Sequence, residues 1–147
     1  MAPSVLLTAR QSSSPFLWVS EAYLLLGRVE DASQCAGRAL EHARDHDERG
    51  NQAWTLWLLG EVATHRIPQG IEPAVTAYHQ ALALAEELGM RPLQAHCHRG
   101  LDRVYATTGQ AEQAQAALST AIAMYQSMDM TFWLPQTEAA LAQVEGR

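Results

Sequence analysis

Basic charge is short in this chain. Ten Lys and Arg stand against sixteen Asp and Glu, for a net charge of −6 at pH 7 and a pI near 5.4. A general binder of nucleic acid or acidic membrane needs a basic face, so the balance argues against both classes. Cysteine is shorter still. Cys35 and Cys97 lie far apart and match no metal-ligand spacing, so reduced thiols in a cytoplasmic protein are expected. Long apolar runs are missing. The start holds Val5-Leu6-Leu7, too short for a signal peptide, and no stretch approaches the ~20 apolar residues of a membrane span. A soluble chain is therefore expected. There is no GxxxxGK(S/T) phosphate loop, and no acid–base pair or nucleophile constellation is discernible. These absences predict a protein that is not an enzyme and needs no cofactor. β-Branched residues are sparse and scattered, which turns the balance toward helix.

What is present is Ala and apolar surface. The chain has 147 residues, 48% hydrophobic and 18% charged, enough for one domain with a core. Residues 1–13 read as a loose leader and 14–147 as the folded domain. Ser14-Pro15 marks a helix start, and Gly27 a helix end. Phe16, Val19, Tyr23 and Leu26 follow at helical spacing and predict the inner stripe of the first helix. Further helices are expected over about Val29–His46, Asn51–His65, Ile71–Leu88, Arg91–Thr107 and Glu112–Met128. A last one runs from Thr131 to about Val144. Gly60 weakens its helix by roughly 1 kcal/mol relative to Ala, which suggests close packing there.

The helices repeat. Ala32, Ala74 and Ala114 superpose, as do Ala39, Ala81 and Ala121, at steps of 42 and 40 residues. The alternate helices place Ser20, Gly60, Asp102 and Ala142 together, at steps of 40, 42 and 40. Two sets of small residues give one period, the signature of stacked helical hairpins. The units are about 14–50, 51–90 and 91–130, with a capping helix at 131–145. Asp102 is the anomaly, a charge where close contact wants a small side chain, so it needs a polar partner such as Arg99, Arg103 or the neighbouring unit.

These residues resemble the tetratricopeptide repeat. In the third unit Tyr105, Gly109, Ala114 and Ala121 match its pattern; in the first, Ser20, Tyr23, Gly27, Ala32 and Ala39 match. The second keeps Gly60, Ala74, Tyr78 and Ala81, but has Ala63 for the aromatic and two extra residues in its turn. The resemblance implies an all-α, right-handed solenoid of three hairpins plus a capping helix, and a role in binding proteins. The runs Ala81–His98 and Met128–Leu134 are similar to the C-terminal repeats of bacterial signalling proteins that join a cyclase domain to an ATPase module. That similarity implies a regulatory tail acting on a cyclase/ATPase partner in trans, and transfers no catalysis.

In a stacked array the first helices line the concave side. That places Glu21, Trp54, Trp57, Glu61, His65, His96, Arg99 and Arg103 as candidates for binding a partner peptide or helix. Trp and Arg dominate binding hot spots, and two Arg at i, i+4 suit a carboxylate. The alternative is that both Trp pack against neighbouring helices and Arg99 pairs with Glu61. His96-Cys97-His98 cannot converge on one ion from adjacent helical positions, and His42 with His46 lacks a third ligand, so no metal site is expected. A small-molecule or metal carrier built on the His residues is the third alternative. Phe16, Leu17, Trp18 and Leu24 are expected to form an apolar patch that pairs two copies through the first hairpin.

Overall fold

The computed structural model describes residues 15–130 and 133–145, with side chains from 17 to 130 and from 133 to 143. The leader at 1–13, Thr131 and Phe132 lie outside the described residues, as does the Phe16 side chain. Among the described residues the chain is all-α. Its helices are α1 (Pro15–Leu25), α2 (Val29–Asp45), α3 (Arg49–Thr64), α4 (Ile71–Leu88), α5 (Arg91–Thr107), α6 (Ala111–Ser127) and α7 (Leu134–Glu145). α3 begins two residues before the expected Asn51, so Gly50 sits inside its first turn rather than in the loop.

Five of the six connections close in one way. A backbone N–H reaches back five residues: Arg28 to Tyr23 at 2.8 Å, Glu48 to Ala43 at 2.7 Å, Met90 to Ala85 at 2.8 Å, Gln110 to Tyr105 at 2.9 Å and Met130 to Tyr125 at 2.9 Å. The residue before each donor has positive φ: Gly27, Asp47, Gly89, Gly109 and Asp129. This is a Schellman closure, which satisfies carbonyls the helix end leaves open. Asp47, Gly89 and Asp129 separate the units and repeat at steps of 42 and 40, the same steps as the alanines. The exception is the connection from α3 to α4, which carries the two extra residues and buries Gly70 against the Ala63 carbonyl.

Helices pack in consecutive pairs, α1 on α2, α3 on α4 and α5 on α6, and each pair stacks on the next. The result is an α-solenoid of helical hairpins. Alanine makes the close approaches possible: Ala32, Ala36, Ala39, Ala74, Ala81, Ala114 and Ala121 are all fully buried. One core cluster runs from Leu17 to Ala117, and a smaller one gathers around Tyr125.

Tyr78 locks the middle of the array. Its side chain is fully buried, and its hydroxyl donates to Glu61 at 3.1 Å. A Cβ added at Gly60 would lie 2.7 Å from the Tyr78 ring, and one at Gly100 only 2.5 Å. Two glycines from α3 and α5 thus open the slot that one tyrosine fills.

The inner face of α1 differs from the expected stripe. Val19 is 43% exposed and Leu26 72%, while Leu17, Ser20 and Glu21 are buried. The segment is apolar nearly all round, so spacing alone cannot select a face. The polar contact decides it: Ser20 Oγ donates to the Ala32 carbonyl at 2.6 Å. Leu17, at 1% exposure, and half-buried Leu24 therefore belong to the core, not to an exposed patch. Among the described residues of the first hairpin the exposed large apolar side chains are Trp18, as expected, with Val19, Leu25 and Leu26.

Candidate functional site

Equal register on successive first helices brings like positions together. Leu17, Trp57 and Arg99 form one such row, and Glu21, Glu61 and Arg103 another, at steps of 40 and 42. Trp54 and His96 are likewise 42 residues apart. Within α3, positions 54, 57 and 61 share a face; within α5, positions 96, 99 and 103 do.

The structure gathers most of these side chains into one cluster. The His96 ring sits 6.3 Å from Trp54, 6.2 Å from Trp57, 5.5 Å from Tyr125 and 5.0 Å from Trp133, measured between centroids. Trp54 and Trp57 meet edge to face at 6.0 Å. Arg99 lies over the Trp133 ring at 5.9 Å. Trp54, Trp57 and His96 are all buried, so they pack against their neighbours, as the alternative reading expects of the two Trp.

Arg103, rather than Arg99, reaches Glu61. Its guanidinium donates to Glu61 Oε1, which also accepts from Tyr78. Burial works against the Arg103 charge, but Glu61 and Tyr78 outweigh it and hold the guanidinium above its usual range. Arg99 is held below its usual range, by burial and then by the like charge of Arg103, while Tyr125, Glu61 and Asp102 work in its favour. Asp102 is itself buried, at 4% exposure. Glu21 is buried on the row of Glu61. His65 stands apart: it is exposed, and its Nδ1 lies 2.9 Å from the Glu61 carbonyl.

His96 is neutral at physiological pH. Burial, and then the Arg99 charge, push its pKa down to about 4. Its Nδ1 lies 2.7 Å from the Tyr125 hydroxyl. Burial holds that hydroxyl well above its usual pKa range, so it keeps its proton. Where that hydroxyl donates to Nδ1 the imidazole proton sits on Nε2, and where Nδ1–H donates to the hydroxyl Nε2 is the acceptor. Three buried atoms then face no hydrogen-bond partner among the described residues: His96 Nε2, Trp57 Nε1 and Arg99 Nε. The cluster is therefore a packed aromatic group with two unpartnered buried N–H donors, Trp57 Nε1 and Arg99 Nε, beside the partly exposed Arg103 cation.

The Cys97 thiol is buried, and burial raises its pKa well above the usual range. His42 and His46 stack on each other at 4.1 Å, with His42 Nδ1 3.4 Å from Glu48. Among the described residues no group of three His, Cys, Asp or Glu side chains is placed to hold an ion. None of the described helices is long and apolar enough to cross a membrane.

Tyr125 and Trp133 are cluster members that lie outside the first-helix positions named from the sequence. Tyr125 ends a helix whose turn returns at Asp129, so it comes back beside the start of α5. That long return is invisible to spacing within one helix.

No family model matches the chain. A curated protein, the 43 kDa receptor-associated protein of the synapse from Tetronarce californica, is 33% identical over 78 residues, which cover 53% of this chain. The match spans only 18% of that protein's length. Helical hairpins in stacked pairs, together with a receptor-associated relative, suggest a protein-interaction module.

Proposed function

We propose that the chain is a non-enzymatic protein-interaction module. Its first-helix face, centred on Trp54, Trp57, Glu61, Arg99 and Arg103, receives a peptide or helix of a partner protein. The observation that carries this reading is the cluster of Trp54, Trp57 and His96 with the unpartnered donors Trp57 Nε1 and Arg99 Nε, beside the 42% exposed Arg103 side chain. Such donors gain from an acceptor more than from staying unpaired. The relative's name, receptor-associated, agrees with a role in binding another protein. Two free cysteines fit a cytoplasmic setting. A second copy is the proposed occupant of the exposed apolar face of α1.

Selection of random peptides displayed on phage tests the groove. Enriched peptides should lose binding to the Arg99→Ala, Arg103→Ala double variant while its helical circular dichroism is kept. Undiminished binding would remove the groove model.

A further inference from the structure

A second surface lies on the opposite side of α3. There a cavity of about 530 Å³ opens between α2 and α4, with α3 as its floor. Leu40 lines one wall, Ala77 the other, and Leu56, Leu59 and Val62 the bottom. On α3, positions 56, 59 and 63 point away from 54, 57 and 61, so this cavity is separate from the first-helix face.

The repeat explains why the space exists. A step of 42 residues carries Ser33 onto Val75, Gly37 onto His79 and Ala63 onto Tyr105. In the later step Tyr105 of α5 is half-buried, packs toward Ala114 and Leu118, and brings its hydroxyl to 3.4 Å from His79 Nε2. In the earlier step all three positions are small. Ser33 and Ala63 line the cavity, and a Cβ added at Gly37 would meet nothing within 4 Å. The same architecture therefore has an aromatic plug at one step and a hole at the other.

Charge at the rim narrows the occupant. Arg66 is held by Glu30 at 2.6 Å. Arg44 on α2 and Glu72 on α4 line the cavity and make no ion pair among the described residues. The rim thus offers a free positive charge on one wall and a free negative charge on the other. We propose that this cavity docks a segment of a partner protein that inserts one aromatic side chain where Tyr105 fills the later step. An acidic neighbour of that aromatic meets Arg44, and a basic neighbour meets Glu72. The aromatic supplies the affinity through burial, and the two exposed charges set direction more than strength.

The test uses the full chain and two probes: N-acetyl-tyrosine amide and the peptide acetyl-Glu-Ala-Tyr-Ala-Arg-amide in both sequence directions. Methyl resonances of Leu40, Leu59 and Val62 should shift saturably with the peptide at millimolar concentrations or below. One direction should bind about threefold better than the other, and Arg44→Glu should erase that difference. Ala63→Tyr, which copies the filled step, should abolish the shifts while circular dichroism stays helical. Should that variant fail to fold, Ser33→Val narrows the same space and should weaken binding. Undiminished shifts in a folded plugged variant would overturn the proposal, as would no saturable shift up to about 10 mM, beyond which affinity is negligible. Equal affinity for tyrosine amide and peptide would assign the cavity to a free small aromatic molecule and would also overturn docking. Shifts at the Trp54 and Trp57 indoles alone would overturn it in favour of the first-helix face.

Discussion

Tyr78 and its two glycines set the sharpest demand at the scale of single residues. Gly60→Ala or Gly100→Ala places a methyl inside the fully buried ring. Overpacking costs about 1–3 kcal/mol, against the roughly 1 kcal/mol that Ala gains in helix propensity. Both variants should therefore lose stability in urea melts, and Tyr78→Leu should reduce the loss in either background. His96 makes a second demand. Its folded pKa of about 4 lies below the ordinary value of 6.5, so the unfolded chain binds more protons between those values. Stability is then flat above about pH 6.5 and falls on acidification toward pH 4, by at most about 1.4 kcal/mol per pH unit. His98, lowered chiefly by burial, adds a slope of the same sign. His96→Gln should flatten the profile measured by urea unfolding between pH 7 and pH 5; an unchanged slope would show that His96 does not set it.

At the scale of elements, the helix ends and the helix faces were legible to different degrees. The endings at Gly27, Gly89 and Gly109 follow from residues that accept positive φ, and the structure puts all three there. Asp47 and Asp129 do the same work without announcing it, because Asp is common in many other places. Gly89→Ala should destabilise by about 1 kcal/mol, since its φ of +70° strains any side chain. Gly37→Ala, in the middle of α2 with open space around it, should stabilise by about 0.5–1 kcal/mol; thermal melts of the pair check the contrast. The inner faces of α2, α4 and α6 were readable because polar residues mark their outer sides. The face of α1 was not, because its two polar side chains, Ser20 and Glu21, are the ones turned inward. For the candidate site, the residues were legible but not their pairing. Register puts both Arg99 and Arg103 near Glu61, and only the side-chain geometry selects Arg103.

At the scale of the whole molecule, the array has two unlike sides and one apolar end. Of the five exposed large apolar side chains among the described residues, Trp18, Val19, Leu25 and Leu26 lie on α1 or in the turn after it, and only Leu88 lies elsewhere. The expected outcome is reversible self-association that rises with concentration. It should be abolished by Leu25→Glu with Leu26→Glu, as sedimentation velocity would show. A wild-type chain that stays monomeric at high concentration would leave α1 without that role. Stitches between helices of one unit recur along the array. Arg49 grips Glu87 through two bonds of 2.8 Å, and Arg91, 42 positions later, reaches Ser127 at 2.9 Å. Both are exposed, so they register the helices more than they hold them.

Sequential packing also has a kinetic consequence. The substantial contacts join each helix to the next, or to the next but one. No distant parts of the chain must find each other before structure can grow, so loop-closure entropy is small at every stage. Folding should accordingly fall in the microsecond-to-millisecond range typical of low contact order. A nucleus at α3–α4, where Tyr78 seats against Gly60, would let order spread toward both ends, with α1 and α7 the last to lock and the first to release.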